Sequence, residues 1–138
     1  MAESQLKAAQ KVAVSGLKAQ GTRMKVIAEN LANADSAPEK PGGTPYRRQV
    51  VNFANTLNRE IGARTVEVSN VSRSQADFRM KYMPNHPAAN EKGYVKMPNV
   101  NPLIELNDMR ESQRSYEANM QMINTVKSIM KQASEMLK

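Results

Sequence analysis

The sequence predicts a mainly α-helical protein with a small β-rich insertion: long N- and C-terminal helices paired as an antiparallel coiled-coil-like hairpin, with short strands and loops between them. Three observations lead there. All seven prolines fall between Pro38 and Pro102, and a proline inside a helix removes a hydrogen bond at a cost of roughly 3 kcal/mol. Both proline-free ends carry apolar residues at alternating three- and four-residue steps, the spacing of a helix seam. The middle carries β-branched clusters bounded by Pro, Gly, Asn and Asp, the punctuation of short strands. The chain thus divides into an N-terminal helix over 1–34, an insertion over 35–102 and a C-terminal helix over 103–138.

In the first segment the steps from Leu6 visit Gln10, Ala13, Leu17, Gln20, Met24, Ile27, Leu31 and Ala34, all apolar except the two glutamines. Ser4 is the candidate N-cap. Gly16 and Gly21 each weaken a helix by roughly 1 kcal/mol relative to Ala, a cost that close approach of a neighbour would offset.

In the insertion, Asp35 to Pro45 reads as a loop. Tyr46 to Phe53, Arg64 to Val71 and Tyr94 to Met97 read as short strands, with Asn55 to Gly62 as a helical turn or hairpin connection. A few short strands are too little to be stable alone. Asn101 and Pro102 mark the start of the last helix as N-cap and first helical residue. That helix carries one seam through Leu106, Met109, Gln113, Tyr116, Met120, Ile123, Lys127, Met130, Ser134 and Leu137, all apolar except Gln113, Lys127 and Ser134. A second, wholly apolar line runs through Met122, Val126, Ile129, Ala133 and Met136. So wide an apolar arc predicts more than one neighbour.

The composition excludes several function classes. With no cysteine there is no disulfide, zinc-thiolate site or thiol nucleophile. The single histidine, His86, lies in a turn and builds no metal cluster or catalytic pair. Gly42-Gly43 lacks the phosphate-loop pattern. The expectation is a non-enzyme with no cofactor and no small-molecule substrate. With two phenylalanines, four tyrosines and no tryptophan against ten methionines, the chain is poor in the residues that anchor a self-sufficient core. The net charge of +7 raises one alternative, a basic helical-hairpin protein binding nucleic acid, for which Arg47-Arg48 and Arg79-Met80-Lys81 are the densest clusters. The basic residues are otherwise spread over the chain, so no nucleic acid is expected. No apolar run approaches the ~20 residues of a membrane span, and the N-terminus lacks the apolar core of a cleavable signal.

Asn30-Leu31-Ala32-Asn33 places two amides three residues apart at a helix end. Two roles fit: local capping, or a hydrogen bond to a neighbouring subunit. Together with Ser15-Gly16-Leu17-Lys18-Ala19-Gln20, this element resembles the N-terminal signature of the bacterial flagellar axial proteins, those of the rod, hook and hook-associated parts. Arg114 to Asn119 is similar to the C-terminal counterpart. Gly42 to Arg48, Pro84 to Asn90 and Gly93 to Asn101 narrow the resemblance to the basal-body rod proteins. It covers nearly the whole chain. Leu106 and Ser112 stand where the family more usually has Met and Ala.

The resemblance implies a subunit of the proximal rod, synthesised in the cytoplasm and exported by the flagellar type III apparatus without signal cleavage. It implies terminal helices that pack with other copies and other rod proteins into an axial shaft crossing the periplasm and transmitting torque. The expected subunit-interface residues are Leu17, Met24, Ile27, Asn30, Leu31, Asn33, Met109, Tyr116, Asn119, Met120, Ile123 and Met130.

Overall fold

A computed structural model describes all 138 residues, Met1–Lys138. The order of elements is α1 (Ala2–Ala32), β1 (Gln49–Asn58), β2 (Ala63–Arg73), β3 (Arg79–Tyr82), β4 (Tyr94–Met97) and α2 (Pro102–Met136). The fold is the expected one: two long helices packed together, with two small antiparallel ribbons inserted between them. At ~1.5 Å per residue, α1 is roughly 46 Å long and α2 roughly 52 Å.

The helix boundaries follow local chemistry. Asn101 Oδ1 accepts the Leu103 amide at 3.0 Å and caps α2, with Pro102 as its first residue. At the other junction, Asn33 Nδ2 donates back to the Glu29 carbonyl at 2.9 Å, and Ser36 Oγ donates to Asn33 Oδ1 at 3.3 Å. Asn33 thus ties off α1 without a left-handed backbone, since every positive φ in the chain belongs to glycine. Ser4 is not the cap expected for α1, because the helix already begins at Ala2.

The residues form two compact units. The first comprises Met1–Met24, Val51–Asn70 and Arg110–Lys138. Here the helices run antiparallel. A Cβ at Gly16 would stand 2.9 Å from Asn119 Nδ2, and one at Gly21 would stand 3.9 Å from Tyr116. Arg23 meets Glu111 at 3.6 Å. Only Gly16 is a true close approach, and what approaches it is the Asn119 side chain rather than a backbone. Ala13, Ala19, Ile123 and Val126 are buried in this unit. The β1–β2 ribbon is antiparallel: Asn52 bonds Asn70 and Thr56 bonds Glu67. Its tie to α1 is a polar relay in which Ser15 Oγ donates to the Val12 carbonyl at 2.7 Å and accepts the Val66 amide at 3.2 Å.

The second unit comprises Lys25–Val50 and Val71–Met109. β3 pairs antiparallel with β4, Arg79 opposite Met97 and Tyr82 opposite Tyr94. Alternation along β4 turns Val95 and Met97 inward against Ala88, with Ala37, Met83 and Ala89 packed around them. Gly93, at φ 85°, makes the turn before β4; a Cβ there would stand 2.8 Å from the Tyr82 ring. His86 Nδ1 accepts the Ala88 amide at 3.0 Å and closes the preceding turn.

The strands differ from expectation in three places. Tyr46–Arg48, expected to open the first strand, lies before β1, which begins at Gln49. Asn55–Asn58, expected as a helical turn or connection, belongs to β1, and only residues 59–62 connect the strands. β3 was not expected, because Arg79-Met80-Lys81-Tyr82 is only four residues long and has no β-branched residue; it takes its register from β4.

Candidate assembly interface

The most constrained site of the second unit is built on Asn30, which is only 1% exposed. Its Nδ2 donates to the Gln49 carbonyl at 2.9 Å and to Glu105 Oε2 at 3.3 Å. Its Oδ1 accepts the Gln49 amide at 2.9 Å and the Tyr46 hydroxyl at 2.7 Å. Both amide protons and both lone pairs of the oxygen are engaged, so the Asn30 side chain has no capacity left for an outside partner. Glu105, fully buried at 0% exposure, is paired with the Arg48 guanidinium, which also reaches Asp108 at 3.3 Å. The Arg48 amide donates to Asn99 Oδ1 at 2.7 Å. Such a network brings together the end of α1, the start of β1 and the first turns of α2. A buried carboxylate is tolerated only when it is paired and hydrogen-bonded in this way.

Two groups titrate away from their ordinary values. Burial, reinforced by the Glu29 carboxylate, raises the Tyr46 phenol above 10.0. The hydrogen-bonded Lys7 ammonium lowers Glu3. Arg47 lies over the Phe78 ring at 4.3 Å and donates to the Ser74 carbonyl at 3.1 Å. The Arg47-Arg48 cluster that motivated a nucleic-acid reading is therefore engaged within the chain.

The expected interface residues separate into three groups. Ile27, Asn30 and Ile123 are buried within the chain. Leu17, Met24, Leu31, Asn33, Met109, Tyr116, Asn119 and Met130 are half-buried, and Met120 is exposed. On α1, Gly16, Gly21 and Arg23 meet α2 in the first unit and Asn30 does in the second. Leu17, Met24 and Leu31 are half-covered, whereas Ala13, Ile27 and Ala34 of the same expected line are buried.

An open apolar stripe of the first unit was visible only as the second line on α2. Val126 is buried, whereas Met122 is 51% exposed, Ile129 43% and Met136 86%. These three recur every seven residues on one exposed stripe. In the second unit, Leu103, Ile104 and Leu106 at the start of α2 are also exposed. No group of His, Cys, Asp and Glu side chains could hold a metal ion, and no helix is long and apolar enough to cross a membrane.

Comparison with known proteins gives a consistent result. The family described as flagella basal body rod protein matches residues 11–37, and the flagellar basal body rod FlgEFG protein C-terminal family matches residues 91–136. The chain is 45% identical over 133 residues to the flagellar basal-body rod protein FlgC of Agrobacterium fabrum, covering 96% of each chain. It is 47% identical over 121 residues to FlgC of Escherichia coli O157:H7, covering 86% of this chain and 88% of that one. It is 38% identical over 139 residues to FlgC of Bacillus subtilis, covering 90% and 93%. At these identities, over nearly the full length of both partners, the chain belongs to the FlgC family of flagellar basal-body rod proteins.

Proposed function

We propose that the chain is a structural, non-enzymatic subunit of the proximal rod of the flagellar basal body. In this reading it is exported by the flagellar type III apparatus without signal cleavage and takes its place in the part of the rod that crosses the periplasm. Its terminal helices pack beside those of other copies and of other rod proteins, and torque passes through many small helix contacts rather than one residue.

The observation that carries this reading is the exposed stripe Met122, Ile129 and Met136, adjoining the buried intrachain seam at Val126. A helix apolar over so wide an arc is completed by a second neighbour. Large apolar side chains left open in register are the mark of an interaction surface. Of the expected interface residues, Met130 lies beside that stripe on α2 and is assigned to its edge. The half-buried Leu17, Met24, Leu31, Asn33, Met109, Tyr116 and Asn119 and the exposed Met120 remain proposed subunit contacts within their own units. Ile27, Asn30 and Ile123 are buried within the chain.

Ile123→Asp does not test the proposal cleanly, because a charge at a buried position unfolds the helix pair whatever its partners. Met122→Asp and Ile129→Asp do. The expected result is normal helix content and continued export, with loss of copurification with detergent-resistant basal bodies and loss of swimming. Normal swimming of both variants would overturn the proposal.

A further inference from the structure

The exposed face of the β3–β4 ribbon is built unlike the rest of the surface. Strand pairing places Met80 opposite Lys96 and Tyr82 opposite Tyr94. Because Val95 and Met97 turn inward, Met80, Tyr82, Tyr94 and Lys96 share the outer face. The two tyrosine rings stand edge to face, 5.3 Å apart at 62°. Met80, Tyr82 and Tyr94 are all exposed. Two of the six aromatic residues in a chain poor in them are thus held rigidly against solvent.

Beside this face lies a cavity of about 130 Å³, lined among others by Pro38, Gly43, Met80, Ala88, Tyr94 and Lys96. Its size is on the scale of a single apolar side chain. Lys96 is the only charged residue lining it, and neither Lys96 nor Lys92 has a carboxylate partner. Residues 79–97 carry Arg79, Lys81, Lys92 and Lys96 against one acid, Glu91. Arg79 is engaged with the carbonyls of Ala34 and Pro98, at 3.1 and 3.2 Å. A pocket for one side chain, an adjoining rigid tyrosine platform and a cationic rim together form the anatomy of an interface hot spot.

We infer that this face docks a segment of a different polypeptide chain, one that inserts a single bulky apolar side chain between Met80 and Tyr94 and flanks it with Asp or Glu. Charge complementarity selects the partner. A second copy of this chain is a poor match, because its own surface is basic overall at +7. The flanking carboxylates would meet Lys96, which lines the cavity, and Lys92, two residues before Tyr94; at such a periphery charge governs encounter rate and choice of partner.

The test uses the full chain and three synthetic twelve-residue probes. One has a central Leu flanked by Glu, one the same Leu flanked by Lys, and one a central Ala flanked by Glu. Titration followed by fluorescence anisotropy is expected to show saturable, salt-sensitive binding of the first probe only. Lys92→Glu with Lys96→Glu is expected to weaken it about tenfold or more, as is Tyr94→Ala. Equal binding of the Lys-flanked probe, binding untouched by the double reversal, or no saturable binding of the first probe would overturn the inference. Circular dichroism confirms that the variants keep their fold. The titration is independent of the rod assignment: Met122→Asp tests the stripe on α2, and a chain that fails there while binding the acidic probe separates the two readings.

Discussion

The two units are held together by different chemistry. In the second, a buried carboxylate, an arginine and a saturated asparagine lock three stretches of chain together, above a small apolar core at Ala88, Val95 and Met97. In the first, a seam containing Ala13, Ala19, Ile123 and Val126 joins two helices, and an apolar stripe is left open on α2. A polar network of this kind has one satisfied geometry, because every misplacement strands a buried donor or acceptor. An apolar seam is more permissive, and helix stability comes mostly from packing of the apolar face, which on α2 is covered only in part. The second unit is thus specified within one chain, while under the proposed assembly the first is completed by a neighbour on its open side.

The largest effect expected on this contrast comes from Glu105→Ala. It removes a fully buried partner from Arg48 and one bond from Asn30, and should destabilise the chain by about 3 kcal/mol. Hydrogen exchange on dilute monomer should locate the loss. The wild-type chain should protect the Val95 and Met97 amides and leave the helix ends near Leu6 and Met136 open. The variant should lose protection at β4. Full protection of both helix ends in wild-type monomer would contradict the unfinished first unit.

A smaller effect, of opposite sign, is expected from Ser112→Ala. The Ser112 hydroxyl is buried without a hydrogen-bond partner, so removing it should stabilise the first unit by about 1 kcal/mol, read as a raised urea midpoint. A lowered midpoint would mean that the hydroxyl has a partner after all.

The smallest effect concerns pH. The folded chain holds the Tyr46 proton more tightly than the unfolded chain does, because burial raises the phenol above its ordinary 10.0. The unfolded state therefore ionises first as pH rises. Stability from this group is complete below that value and is lost as pH climbs through the raised one. The difference in urea midpoint between wild type and Tyr46→Phe should be constant below 10.0 and shrink above it. A difference that grows would reverse the assignment.

Most of the helical frame was legible because its signals are local: the proline distribution, the three-four spacing, and Asn101 with Pro102 at the head of α2. The polar lock was not, because its partners lie far apart. Asn30 finds Gln49 nineteen residues away and Glu105 seventy-five away, and no spacing rule links an amide to a carboxylate at such distance. β3 was hidden for a related reason, since its pairing with β4 rather than its own composition makes it a strand. Ala13 and Ile27 of the expected line on α1 are buried, but arginine does not register as apolar, so the contact of Arg23 with Glu111 on α2 was not legible. The exposed stripe was legible in outline, as a second apolar line, but only packing separates its covered member, Val126, from its open ones.

Two of the three large side chains on that stripe are methionines, Met122 and Met136, and both are exposed. Oxidation to the sulfoxide turns a pliable apolar group into a polar one. Under the assembly reading, a subunit waiting in an oxidising compartment therefore ages: each oxidised methionine subtracts from the surface by which it joins its neighbours. A subunit already in place shields the same sulfurs, so oxidative damage falls on the free pool and spares the finished shaft.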